Sequence, residues 1–282
     1  MIGALAVIGV GLLGGSVAKA ARARDLAREI VGVGRDRTRL DAALRDRAVD
    51  RVTTDLEEGV RGADFVVLGV PVLAIEALLP RVWRAAADGA TVTDVGSTKA
   101  AIVRAAERLA AERPLAFVGS HPMAGSEQSG YVVARADLFQ GATVILTPTE
   151  RTEPRTVKAV GGFWEAMGAR VSALDPETHD RVVAAISHLP HLVAYALADA
   201  VARFQPEALE FAARGFKDTT RIAASDPGIW TEIFLANREA LRANLEAFRL
   251  VLADLERAVA MGSRETLRAA LARIRAAREG LR

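Results

Sequence analysis

Residues 4–14 read ALAVIGVGLLG, and the reading of the fold turns on them. An apolar run of strand length, ALAVIG (4–9), passes into Gly9-Val10-Gly11-Leu12-Leu13-Gly14. That stretch matches G-x-G-x-x-G and opens a helical segment. The pattern alone is weak, but placed between a strand and a helix it has a mechanism. The first glycine permits a tight turn, the second lets backbone approach a pyrophosphate, and the third allows close helix–strand packing. The helix N-terminus then faces the anion. Gly9, Gly11 and Gly14, with the backbone of Leu12 and Leu13, form the candidate dinucleotide site. Two other readings use the same residues: a tight βα turn and nothing more, or a glycine-rich loop for S-adenosylmethionine.

Outward from this turn, residues 1–174 alternate short apolar runs with amphipathic helical segments. The runs at 4–9, 29–33, 64–70, 90–95, 116–120, 143–147 and 170–174 are rich in Val, Ile and Leu. Near-continuous runs of this kind suit parallel strands covered on both faces. The expected architecture is an α/β, Rossmann-type doubly wound sheet, mostly parallel. After DPETHD (175–180) no further strand is convincing, and residues 175–282 are expected to form an all-α domain. Apolar residues at 182, 186, 189, 193, 197, 200 and 204 keep helical spacing, and Val183, Leu192 and Tyr195 occupy other faces. A second run, Phe234, Leu241, Leu245, Phe248, Leu252, Leu255 and Val259, follows Asp226 as N-cap and Pro227 at the first helical position. A last helix follows Ser263. This is more apolar surface than one small bundle needs, so a homodimer joined through the helical domain is expected.

Composition bounds the function. The chain is 51% hydrophobic and 26% charged, enough for a sizeable core. It has no cysteine, which excludes disulfides and thiolate metal sites and fits a cytoplasmic location. The first apolar run has no basic segment before it and is broken by glycines, unlike a signal peptide or membrane span. The formal charge is +2, and the arginines are interspersed with acids without aromatic interleaving. A nucleic-acid or membrane partner is therefore not expected.

The acid that reads a ribose 2′-hydroxyl belongs about 20 residues beyond the glycine motif, at the end of the second strand. There the chain reads VGVGRDR, with Gly34 followed by Arg35, Asp36 and Arg37. Glycine at that position removes the charge that repels a 2′-phosphate, and Arg35 and Arg37 are placed to bind one. NADP is thus favoured over NAD, unless a two-residue shift of the turn brings Asp36 to the ribose. Val70 and Pro71, at the end of the third strand, are expected to line the same cofactor site.

Ligands of doubly wound sheets bind beyond the carboxyl ends of the strands. Two of those ends run into Gly96-Ser97-Thr98-Lys99 and into Ser120-His121, two of the polar clusters of this half. The helical half adds His188-Leu189-Pro190-His191 and Gly215-Phe216-Lys217-Asp218-Thr219-Thr220-Arg221. Pro190 should kink its helix. His188 and His191 each read equally as core or functional residues. Their spacing lacks the i, i+4 geometry of a zinc site, and no metal is expected. His121, in SHPMAGSEQSG (120–130), is the candidate general base, because a histidine titrates near working pH. Ser97 is either an N-cap or a site residue, and Glu127 either a helix-start acid or a substrate contact. Lys217 and Arg221, among glycine and threonines, suit anion binding.

These motifs together resemble the prephenate/arogenate dehydrogenase family of tyrosine biosynthesis. The resemblance spans nearly the whole chain and includes Ser225-Asp226-Pro227-Gly228-Ile229-Trp230 and Asn237-Arg238. It implies oxidative decarboxylation of prephenate or arogenate with hydride transfer to NAD(P)+. It further implies that His121 takes the ring hydroxyl proton, Ser97 positions His121 or that hydroxyl, Arg221 binds the ring carboxylate, and His191 faces the substrate side chain. Gly34 departs from the family, many members of which carry an acid there. No room is expected for a fused chorismate mutase or ACT domain.

Two competitors remain. A β-hydroxyacid or 6-phosphogluconate-type dehydrogenase relies on a lysine in the first helix of the helical domain, and this helix has none. A non-catalytic NADP-sensing Rossmann dimer has no need of His121, His191 and Arg221 together.

Overall fold

The computed structural model describes residues 1–280. Its first part alternates β1 (Ile2–Ile8), α1 (Leu12–Ala23), β2 (Ala27–Val33), α2 (Arg37–Arg45), β3 (Arg51–Thr53), α3 (Leu56–Val60), β4 (Phe65–Leu68), α4 (Val72–Ala85), β5 (Thr91–Asp94), α5 (Ala100–Glu112) and β6 (Ala116–Phe117). The six strands are parallel, in the order β3-β2-β1-β4-β5-β6. This is the Rossmann order, with its switch point between β1 and β4. Leu5, Ala6, Val7, Ile30, Val31, Val66, Val67 and Val92 are fully buried, because helices cover both faces of the sheet.

The expected single sheet is in fact two. β7 (Gly119–Pro122), β8 (Thr143–Thr147) and β9 (Arg170–Ala173), with α6 (Pro154–Ala166) before β9, form a separate three-stranded sheet. β7 and β8 are antiparallel, and β8 and β9 parallel. The run 116–120 is therefore divided at Val118: its first part ends the large sheet and its second begins the small one. His121, placed by the sequence just beyond a strand end, lies inside β7 opposite Ile145. Pro122 is tolerated beside it because β7 is an edge strand, where a missing N–H costs no ladder bond. Strand β3 had no signal in the sequence, since three residues show no periodicity.

The described residues form two compact units, Met1–Asn237 and a second starting at Arg238. The first also contains α7 (Pro176–Val183), a π turn (Ala184–His188), α8 (Leu189–Phe204), α9 (Arg214–Thr220), a 3₁₀ turn (Arg221–Ala224) and α10 (Pro227–Ala236). Pro190 does not break its helix. The lost N–H at 190 falls just beyond the π turn, where the i→i+4 ladder has already given way. Asp226 caps α10 through the N–H groups of Gly228 and Ile229. The second unit consists of α11 (Arg238–Ala260) and α12 (Arg264–Glu279), the latter capped by Ser263. The periodic run 234–259 thus spans two helices, divided at Asn237.

Candidate functional site

The glycine turn has the shape that pyrophosphate binding needs. Gly9 sits at φ +90°, and a side chain there would meet the Gly69 carbonyl at 2.6 Å. A Cβ on Gly14 would lie 2.0 Å from the Gly9 carbonyl, whereas one on Gly11 would meet nothing within 4 Å. So Gly9 and Gly14 serve packing, and Gly11 leaves open space for a ligand. Among the described residues no side chain caps the N-terminus of α1, and its first turn holds no acid. Unpaired N–H groups at an uncapped helix start are what a pyrophosphate takes up, so the loop with Leu12 and Leu13 fits a dinucleotide. Val70 packs against Gly9 at the tip of β4, and exposed Pro71 follows it at the start of α4.

At the end of β2, Gly34 follows Val33. Asp36 is engaged as the N-cap of α2, accepting from Thr38 and Arg39 N–H. Arg37 pairs with Asp41 at 2.9 Å and reaches the Val52 carbonyl, while Arg35 is exposed.

Around His121 the structure builds a dense buried network. Lys99, fully buried, forms an ion pair with Asp94 and donates to the Ser120 carbonyl at 3.0 Å. Burial pulls its ammonium below the usual range against the opposing effect of Asp94. Asp94 also accepts from Gly96 N–H at 2.8 Å. The Ser120 hydroxyl donates to the Asp94 carbonyl and accepts from Trp164 Nε1. These bonds fix the backbone on either side of the β5 end and of β7. His121, 8% exposed, places Nδ1 2.9 Å from Nε2 of His179, and His179 Nδ1 lies 2.8 Å from Asp180 Oδ1. Desolvation, then the proximity of His179, Lys99 and His188, holds the His121 pKa well below 6.5. His121 is therefore neutral at physiological pH.

Asp180 does a second job. Its carboxylate accepts from Lys99 N–H at 2.7 Å and Ala100 N–H at 3.0 Å, capping α5 from another helix. Ser97, read as either that cap or a site residue, is half-buried upstream, does not cap α5, and makes no hydrogen bond to His121 among the described residues. Asn237 ties the same cluster together. Its Nδ2 donates to the Asp180 carbonyl at 2.7 Å and contacts His188 Nδ1 at 3.2 Å. His188 is fully buried, and burial pushes its pKa down to about 4. His191 stacks on Trp230 at 3.4 Å and donates through Nδ1 to the Ser187 carbonyl. Arg221 pairs with Glu127 at 3.2 Å, and Lys217 is exposed on α9. His179, Asp180, Asn237 and Trp230 had not been singled out as site residues. In the sequence the first two stand only as the end of DPETHD (175–180), which follows the last strand run.

Comparison with known proteins adds a second line. Residues 17–173 match the family model "Prephenate dehydrogenase, nucleotide-binding domain", and residues 175–273 match "Prephenate dehydrogenase, dimerization domain". The chain belongs to the prephenate dehydrogenase family. It is 34% identical to a cyclohexadienyl dehydrogenase from Zymomonas mobilis, over 91% of this chain and 88% of that one. A prephenate dehydrogenase structure from A. aeolicus, in complex with hydroxyphenyl propionate and NAD+, superposes with a TM-score of 0.93 at 35% identity, covering 100% and 99% of the two chains. An arogenate dehydrogenase from Synechocystis superposes with a TM-score of 0.83 at 31% identity, covering 98% and 99%. This chain is accordingly an NAD(P)-dependent oxidoreductase that couples oxidative decarboxylation of a prephenate-type substrate to hydride transfer in tyrosine biosynthesis. That excludes both the hydroxyacid dehydrogenase and the cofactor sensor.

Proposed function

We propose that His121 is the general base of this reaction and that Arg221 holds the carboxylate that leaves as CO2. The substrate, prephenate or arogenate, carries a ring carboxylate and, para to it, a hydroxyl. His121 takes the hydroxyl proton as the carbon–hydrogen bond beside it breaks. When bound, NAD(P)+ supplies the hydride acceptor. The resulting carbonyl draws in the electrons of the carboxylate bond, CO2 departs, and the ring becomes aromatic. Arg221 orients the carboxylate with its guanidinium fork, with Lys217 and Glu127 at the same entrance. Ser97 acts on the hydroxyl side, and His191 faces the pyruvyl or alanyl side chain.

The observation that carries this reading is a buried histidine, held neutral by desolvation, in β7 just past the last strand of the large sheet. A base must be unprotonated to act, and desolvation keeps His121 so. For the cofactor, Gly34 in place of an acid, with Asp36 engaged as a cap, supports NADP over NAD.

Replacing His121 by Asn should lower kcat by about 10²–10⁴, the usual worth of a general base, and leave substrate and cofactor binding nearly unchanged. In the wild type, kcat/KM should stay level as pH falls through 6.5 and decline only below it, because the folded-state pKa is depressed. Steady-state rates with both substrates and both cofactors measure all of this. A near-normal kcat in His121→Asn removes His121 from the role.

A further inference from the structure

We propose that His179 and Asp180 are positioning residues that hold the ring proton of His121 on Nδ1, leaving Nε2 as the basic nitrogen. The proposal rests on His121 being the base. It follows from counting donors along one chain of contacts. Asp180 receives three: Lys99 N–H and His179 Nδ1 on Oδ1, and Ala100 N–H on Oδ2. Burial acts to raise its pKa, but these donors outweigh burial and hold the carboxyl low, so it is ionised and only accepts. His179 must then donate through Nδ1. Burial keeps His179 neutral, so it carries a single ring proton and its Nε2 can only accept. The 2.9 Å contact to His121 therefore requires the proton on His121 Nδ1. His121 is neutral as well, which strips Nε2 and fixes the lone pair there.

The orientation is over-determined. His179 is fully buried, and Asp180 is clamped by two backbone amides at the start of α5. His121 is held by β7, whose neighbouring Ser120 is anchored by Lys99, Asp94 and Trp164. The titratable and charged groups acting on the ring are His179, Lys99 and His188. Among these, the contact to His179 is the hydrogen bond that selects a tautomer. A carboxylate that accepts directly from the Nδ1–H of a catalytic histidine, fixing its tautomer, is the logic by which acidic partners orient such bases elsewhere. Here a second imidazole is interposed.

Nitrogen-15 spectra of the ring nitrogens read the tautomer directly. The chain has four histidines, and the signals lost in His121→Asn assign the ring. The wild type should show His121 protonated on Nδ1. In Asp180→Asn, the amide can donate to His179, reversing the chain and moving the His121 proton to Nε2. The kcat should then fall by about 10²-fold or more, with KM and cofactor Kd unchanged. His179→Gln should retain most activity, because its amide donates to Asp180 and accepts from His121, whereas His179→Leu should lose about 10²-fold. Thermal melts show which variants are folded, since Asp180→Asn also weakens the cap on α5. A wild-type His121 protonated on Nε2 overturns the proposal. So does a folded His179→Leu with normal kcat while His121→Asn is inactive. If His121→Asn is itself active, the base assignment falls instead, and the ring spectrum still decides the tautomer.

Discussion

Arg221 reaches Glu127 across 94 positions of sequence, and it is Arg221 that we propose as the holder of the substrate carboxylate. An ion pair this exposed, with 61% and 39% of the two side chains accessible, is worth little by itself. Exchanging Glu127 for a bound carboxylate is therefore inexpensive. Arg221→Lys keeps the charge but loses the fork, so KM for substrate should rise while kcat holds. Arg221→Ala should cost about 2 kcal/mol of substrate binding, roughly thirtyfold in KM, the low end for a charge pair that stays part-solvated. Cofactor Kd should not change in either variant, because the pyrophosphate is assigned to the Gly9–Gly14 turn and not to Arg221. A fall in cofactor affinity with unchanged KM moves Arg221 to the dinucleotide site. At this scale the sequence is readable where a polar residue interrupts an apolar pattern, as His121 does after a strand. It is opaque where function comes from a pairing. His179 and Asp180 look like the first turn of a helix until Lys99, Ala100 and His121 are brought against them.

Among elements, the β2–α2 turn carries the proposed preference for NADP, and its chemistry was only partly legible, because the sequence left Asp36 open as the acid that reads the ribose. In the structure Asp36 is the N-cap of α2, accepting from Thr38 and Arg39 N–H, an engagement that supports the NADP reading. Gly34 then presents no charge. A Cβ at Gly34 would lie 3.1 Å from Leu40 Cδ2, closer than ordinary contact, and Leu40 is a buried core residue. Gly34→Asp should therefore shift kcat/KM toward NAD and away from NADP, at a stability cost on the order of 1 kcal/mol. Gly34→Ala carries the same steric cost without the charge. If both variants shift the ratio alike, the effect is packing. A wild type that strongly prefers NAD shows the 2′-phosphate reading to be wrong. The elements that sequence did not reveal failed for non-local reasons. Strand β3 exists because β2 offers an edge, and the chain leaves the large sheet at Val118 because β8 offers another partner. The break at Asn237 serves Asp180 and His188 and leaves no mark on the spacing of Phe234 and Leu241.

For the whole molecule, the argument turns on apolar surface left uncovered within one chain. Of the sixteen residues of α8 only Ala194 is buried, while Phe204 is 74% exposed. In the second unit Leu250, Val251, Leu252 and Val259 are each at least half exposed. Large apolar side chains left exposed in this number mark an interface. The helix Pro176–Phe204 is also long and apolar enough, by length and composition, to cross a membrane. Its first part is committed to the buried His179–Asp180 pair, which does not belong in lipid. The match of residues 175–273 to a dimerisation domain points to a second copy as the cover. We expect a homodimer joined through these helices, burying well above the roughly 2,000 Å² at which obligate interfaces begin. Light scattering at micromolar concentration should give twice the 29.9 kDa chain mass. Phe204→Glu should shift the mass toward the monomer, since an unpaired charge buried in an apolar interface costs several kcal/mol. A monomeric wild type, or wild type recovered on phospholipid vesicles in place of a soluble dimer, overturns this assignment of the apolar face.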